Sequence, residues 1–243
     1  IGFIVLLSFF RKKTILRFSI RKISRKFTIY KEFIGNGMPS LFRQGLASVA
    51  SVALNRVAAA QSDAAVAAMS IVGKIFMMVF CVLIGFGQGY QPVVGYNYGA
   101  RLKKRVYESV KVALVYAIVI MAAGMALFMA IPNVLMGLFD KTADGSIGAI
   151  GAPALRIIST HFILAAIGIT LSTVFQAIGK GFYSLIMSLC RQLIVLIPVA
   201  WLLSRAGLET TWWAFPIAEV VSLTICLLLY RKVDREILSR LDE

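Results

Sequence analysis

Apolar runs of membrane-spanning length recur along the chain, separated by short polar segments. After an opening run, Ile1 to Phe10, six of them fall near 38–58, 64–90, 107–131, 153–177, 183–204 and 212–230. A bilayer core takes about 20 residues of helix, so the pattern predicts six transmembrane helices. Pro39 opens the first, where a missing N–H does no harm. Within that span Gln44, Ser48, Ser51 and Asn55 are spaced four, three and four apart, which places them on one helical face. A polar row of that length faces a cavity or other helices rather than lipid. Interhelical hydrogen bonding without ligand contact would produce the same row. The second span repeats the pattern with Ser70, Lys74, Met77, Cys81 and, two turns on, Gln88. Met77 and Met78 suit an adaptable surface for varied apolar ligands, or they fill a core.

Charge changes the picture by giving the spans a direction. Arg11 to Lys31 holds nine basic residues and no acid, with Leu16, Ile20, Ile23, Phe27, Tyr30 and Ile34 at helical spacing among them. That reads as an amphipathic helix on the membrane surface, with a solvated basic loop as the alternative. On the same side of the membrane fall Arg101, Lys103, Lys104, Arg105, Lys180, Arg231, Lys232, Arg235 and Arg240; the other side has Lys141 and Arg205. The asymmetry predicts a multi-pass protein of the cell membrane with both ends cytoplasmic and Asp140–Gly145 outside.

Composition agrees with the lipid bilayer as the chain's solvent. Of 243 residues 59% are hydrophobic, and the mean hydropathy is +0.84; soluble domains sit nearer half apolar. The net charge of +15 follows from the cytoplasmic segments, so no nucleic acid is implied. Cys81, Cys190 and Cys226 lie in apolar runs without metal-ligand spacing, and read as core residues. Charges inside the spans are few and costly. Lys74 and Arg191 lie deep, and Glu219 is the one acid well inside an apolar segment, with Lys74 or Arg191 as its partner or an ion as its ligand. His161, the single histidine, is either a hydrogen-bonded structural residue or a proton handler. No paired carboxylates, no metal-ligating cluster and no nucleophile with a base at helical spacing occur, so the chain does not read as an enzyme and implies no cofactor.

The most informative stretch is Gly85 to Ala100, G-F-G-Q-G-Y-Q-P-V-V-G-Y-N-Y-G-A, followed by the basic Arg101-Leu-Lys-Lys-Arg105. Its glycines and Pro92 predict that the helix loosens or bends here, as at a transport site or hinge. A nucleotide loop is excluded because no strand precedes Gly85-x-Gly87-x-Gly89 and no Lys-Ser/Thr follows.

The stretch resembles the motif closing the second helix of each half in the multidrug and toxic compound extrusion (MATE) transporters. Gly85 and Gly89 lead into it, and Gln91, Pro92, Gly95, Asn97, Gly99 and Ala100 match in order. Downstream, Gln176-Ala-Ile-Gly179, Arg191-Gln192 with Pro198, and Trp213, Pro216, Ala218 and Glu219 are similar to further family motifs. The resemblance covers essentially the whole chain. It implies an all-α integral membrane fold: 1–10 as the end of a truncated helix, 11–35 as an amphipathic basic inter-lobe segment, 36–231 as the six-helix C-terminal lobe of a twelve-helix transporter, and 232–243 as a cytoplasmic tail. The partner it implies is the N-terminal six-helix half.

The resemblance also implies an antiporter that exports varied, often cationic small molecules in exchange for H⁺ or Na⁺ by alternating access. One family branch uses acids in the first and fourth spans of this half. Here 38–58 and 153–177 contain none, so the coupling residues are expected in the other half. Two alternatives stand beside it. A flippase of a related fold, for lipid-linked oligosaccharide or peptidoglycan precursors, would use Lys74 and Arg191 for pyrophosphate. A non-transporting helical membrane partner would pack by its small residues.

Overall fold

The computed structural model describes residues 27–139, 146–239 and 241 of the chain. The expected helix end at 1–10, most of the basic segment 11–35 and the loop Asp140–Gly145 lie outside them. The chain divides into two units, Ile1–Gly37 and Met38–Glu243. The described part of the first is the helical opening of α1; the second holds everything that follows. Every regular element among the described residues is helical.

Helix α1 (Phe27–Ala59) buries one row, Ala50, Leu54 and Ala58, at spacings of four. Leu54 packs into a small core with Leu196, Ala200, Ala214 and Ala218. Helix α2 (Asp63–Gly99) is capped by Ser62, whose Oγ accepts from the Ala65 N–H at 3.0 Å, with Asp63 in the first turn. It buries the face carrying Ala65, Ala68, Val72, Ile75 and Leu83.

Helix α3 (Lys103–Ala130) follows a turn at Arg101, a residue in the left-handed region with φ 56°. A short α4 (Pro132–Gly137) opens on a proline in its first turn. The predicted span 153–177 is two helices, α5 (Ser146–Ser159) and α6 (Phe162–Ala177), bent by 55°. The break has a local cause. Ser159 Oγ donates to Arg156 O at 2.8 Å and Thr160 Oγ1 to Ile157 O at 2.7 Å, drawing carbonyls out of the helical ladder.

Helix α7 (Gly181–Ser204) widens into a π turn over Cys190–Leu196. Pro198, just beyond, cannot donate to the carbonyl four residues back, so the ladder is already interrupted here. After α8 (Leu208–Thr211) comes α9 (Ala214–Val233), continued by a π turn, Asp234–Leu238.

Besides the small core at Leu54, two larger ones hold the described part of the lobe. One gathers Phe80, Phe128, Met121, Phe162 and Trp212 where α2, α3, α6 and the α8–α9 link meet, with the Phe128 and Phe162 rings edge to face at 5.1 Å. The other joins Val94, Val106, Phe175, Val233 and Leu238 at the end where α2 turns into α3. There the Tyr107 hydroxyl donates to Asp234, and Lys103 Nζ donates to Ser239 O at 2.7 Å, docking the Asp234–Leu238 turn on α3.

Among the described residues four helical stretches are long and apolar enough to cross a membrane: α2, α3, α7 and Leu208–Leu238. The bent α5–α6 pair makes a fifth. Helix α1 covers the first predicted span and is not among them; Arg43, Gln44, Ser48, Ser51, Asn55 and Arg56 dilute its apolar content.

Two sequence expectations change. The stretch from Gly85 to Gly99 does not break: α2 runs through Pro92 as one 37-residue helix. And Cys81 is exposed, so it is no core residue, whereas Cys226 is buried.

Candidate substrate face and buried charge pair

The polar rows predicted on the first two spans lie on surfaces this chain leaves uncovered. Gln44, Ser48 and Ser51 are exposed and Asn55 is half-buried. Ser48 Oγ satisfies itself on Gln44 O at 3.4 Å. The row sits about a quarter turn round α1 from the buried Ala50, Leu54 and Ala58. On α2, Ser70, Lys74, Met77, Cys81 and Gln88 are all exposed and lie opposite its buried face. Met77 and Met78 are 51% and 65% exposed, which removes the core-filler reading of both.

The motif residues divide by what they touch. Gly87 and Gly95 face α6: a Cβ would stand 3.4 Å from Thr173 Oγ1 at Gly87 and 3.3 Å from Ala177 O at Gly95. These two glycines let the helices approach closely. Gly85, Gly89 and Gly99 have nothing within 4 Å of a Cβ, and Pro92 is exposed while Gln91 is half-buried. Asn97 is buried; its Nδ2 donates to Val93 O at 2.9 Å, and its own carbonyl accepts from the Leu102 N–H at 3.0 Å. It ties off the helix end and the turn into α3.

Of the four ionisable residues singled out inside the spans, two meet. Arg191, in the π turn of α7, places Nη1 3.5 Å from Glu219 Oε2 on α9; the Glu219 side chain is 5% exposed and that of Arg191 27%. Lys74, the other candidate partner, lies on the exposed row of α2. His161 sits at the α5–α6 break, buried and stacked on Phe215 at 6.0 to 6.4 Å from the Phe215 and Phe76 rings, with no hydrogen-bond partner at Nδ1. An apolar cavity of about 50 Å³ opens nearby among Met69, Val72, Phe76, Ile158, Trp212 and Phe215. Among the described residues no group of three or more His, Cys, Asp or Glu could hold a metal ion.

Sequence reading missed the polar groups around the pair. Ser172 and Ser184 are hydrogen-bonded, Oγ to Oγ, at 2.6 Å, and Gln176 Nε2 donates to Ser184 Oγ at 3.1 Å. Ser172, Ser188 and Ser222 line a cavity of about 30 Å³ with Gly168, Arg191 and Glu219. The signal was present as spacing: Ser184 and Ser188 are four apart, and Glu219 and Ser222 three apart, each pair on one face.

Comparison with known proteins places these features in a lineage. The MatE family model matches residues 39–202. The multidrug export protein MepA of Staphylococcus saprophyticus is 27% identical over 229 residues, 93% of this chain and 50% of that protein. MepA of Staphylococcus haemolyticus is 26% identical over 241 residues, 99% of this chain and 52% of that protein. A crystal structure of MATE in complex with MaL6 superposes with a TM-score of 0.88 at 26% identity, covering 99% of this chain and 54% of that one. A MOP superfamily transporter from Pyrococcus furiosus, described as having a binding pocket of reversed polarity, also gives 0.88 at 26%, covering 100% and 54%. The chain thus spans about half the length of the relatives it matches.

Proposed function

Because the chain belongs to the MatE family of multidrug efflux transporters, we propose that it acts as one lobe of an exporter of chemically varied, often cationic small molecules, in exchange for H⁺ or Na⁺. The observation that carries this reading is the pair of uncovered polar rows on α1 and α2. Left against hydrocarbon, such rows cost free energy at every group that hydrogen-bonds to nothing. Facing a water-filled cavity, they instead supply the few polar contacts that position an amphipathic ligand. Met77 and Met78 add polarizable surface that adapts to ligand shape.

One lobe provides one wall. Alternating access needs two that move against each other around a central site. The chain's length relative to the MepA proteins supports a second six-helix half as the partner that completes the cavity. In this arrangement both ends of the chain are cytoplasmic, and substrate leaves on the side of Asp140–Gly145. Against the flippase alternative, Arg191 pairs with Glu219, which leaves Lys74, on the exposed row of α2, as the cation for a pyrophosphate.

The test is reconstitution from parts. Residues 1–243 expressed alone are expected not to extrude a cationic dye from cells, and co-expression with a complementary six-helix half is expected to restore export. Ion-dependent efflux by the purified 243-residue chain in liposomes, with nothing added, would overturn this reading in favour of two copies of the lobe facing each other.

A further inference from the structure

The Arg191–Glu219 pair lies in the lobe interior, and its geometry is unfinished. At 3.5 Å the contact is looser than a charge-assisted hydrogen bond, which closes to about 2.7–2.9 Å. The other carboxylate oxygen, Oε1, is buried without a hydrogen-bond partner. It lies against the backbone of α6, where a Cβ on Gly168 would stand 3.3 Å away, and Glu219 lines the cavity of about 30 Å³ together with Ser172, Ser188 and Ser222. On that measure one water needs roughly 10–15 Å³, so the cavity beside Glu219 can hold a water.

A polar lane leads to this spot. Gly179 and Lys180 form an exposed turn. Three residues inward Gln176 bonds Ser184, Ser184 bonds Ser172, and Ser172 lines the cavity at Glu219. Hydroxyls both donate and accept, so serines and a bridging water can pass a proton along. An ionisable residue inside a membrane lobe, with a polar path to the surface, is a functional site rather than a packing choice.

We propose that Glu219 is a proton-binding site reached from the side of the Gly179–Lys180 turn through the Ser184–Ser172 hydroxyl pair, which Gln176 holds in place by donating to Ser184 Oγ, with Arg191 as the group that holds its deprotonated state. A metal cation is disfavoured because Arg191 already cancels the single carboxylate's charge, and the remaining lining groups are neutral hydroxyls. The step is proton transfer alone. A hydronium ion in the cavity gives its proton to Oε1, which supplies the electron pair of the new O–H bond, and a water is left; release runs the same path in reverse. Neutral Glu219 no longer holds Arg191 by charge. Arg191 stands in the π turn of α7, where an extra residue is already accommodated in the backbone and a local change of register is easy.

The titratable and charged groups facing Glu219 are Arg191 from α7 and Cys226 on its own helix. From α6 it meets Gly168 and Ser172, which do not titrate. His161, at the α5–α6 break, makes its ring contacts with Phe76, Phe162 and Phe215 instead.

The coupling of this site to export rests on the efflux reading; the site itself does not, and two arms keep them apart. In the first, infrared difference spectra of the purified chain in lipid are recorded as pH is lowered. The expected result is a protonated-carboxyl band that is lost in Glu219→Gln and kept in Glu219→Asp. In Arg191→Gln its midpoint should move to higher pH, because the cation favouring the charged form is gone. Identical spectra for wild type and Glu219→Gln would overturn the proposal. Should Glu219→Gln fail to insert, an unmoved midpoint in Arg191→Gln does so instead. In the second arm the chain is reconstituted with a complementary half, and Glu219→Gln is expected to lose efflux driven by a pH gradient. Unchanged pH-driven efflux in Glu219→Gln, or loss confined to sodium-driven efflux, would overturn the coupling of the site to export. No efflux by the wild type under any gradient would sink the efflux reading while the spectra still judged the site.

Discussion

Two glycines in the lobe answer differently to the same added methyl group, and the closer contact is the cheaper one. At Gly124 on α3 a Cβ would stand 2.5 Å from Val79 Cγ1 and 3.6 Å from the Phe162 ring. Carbon atoms rest about 3.5–4.0 Å apart, so α2 and α3 must part by roughly 1 Å. Val79 cannot yield, because its β-branched side chain has one comfortable rotamer in a helix. Overpacking of this kind costs ~1–3 kcal/mol, and the better helix propensity of alanine returns at most ~1 kcal/mol. After the full helix gain Gly124→Ala should therefore destabilise the lobe by about 1 kcal/mol, the middle of a range of roughly 0–2 kcal/mol. At Gly151 on α5 the Cβ would come within 2.1 Å of Met136 Cε and 2.7 Å of its sulfur. Those atoms end an unbranched side chain with three rotatable bonds that can swing aside. Gly151→Ala should cost no more than about 0.5 kcal/mol once the helix gain is included. Loss of helical circular dichroism in mixed micelles of rising SDS content measures both. A gain in stability for Gly124→Ala, or a larger loss at Gly151, would refute the rotamer argument.

Three further outcomes are expected. Ser51→Leu or Ser48→Leu, in the complete transporter, should weaken export at unchanged membrane abundance; a parallel fall in abundance would show that the row holds helices together. Tyr107→Phe removes the donor to Asp234, a hydrogen bond to a charged group worth ~1.5–3 kcal/mol, so amides of 234–239 should exchange at least about tenfold faster; unchanged protection would mean the apolar contacts of Leu238 dock this turn by themselves. Reporter fusions at Gly145 should be active outside the cytoplasm, and cytoplasmic activity there would reverse the orientation.

How far the sequence speaks depends on which interaction decides each feature. The long apolar runs of α2, α3 and α9 are written in composition, because lipid as solvent leaves little choice. The outward rows of α1 and α2 were legible from spacing alone. The Gly85–Gly99 stretch misled for a physical reason: glycine permits a bend and equally permits close approach, and only the partner decides. Here the partner is α6, against which Gly87 and Gly95 pack, and the helix stays unbroken. The real break, at Thr160 and His161, has neither glycine nor proline at it; it comes from hydroxyls bonding carbonyls three residues back. The π turn around Arg191 lies one turn ahead of a visible Pro198, but the choice of Arg191 over Lys74 as partner of Glu219 needed three dimensions.

The length of α2 has a consequence for where this lobe can live. Its 37 residues make about 55 Å of helix at 1.5 Å per residue. A hydrocarbon core is about 30 Å thick, and membrane helices tilt by at most ~40°. Even at that limit α2 rises about 42 Å along the bilayer normal. The helix therefore always emerges from the oil at one or both ends, carrying Tyr96, Asn97 and the Arg101 turn or the Ser62 cap into the headgroup layer. Bilayer thickness then becomes a mechanical input: a thinner membrane lengthens the overhang or steepens the tilt, and the closely packed α6 tilts with it. On this geometry, lipid composition biases the angle at which the lobe rests.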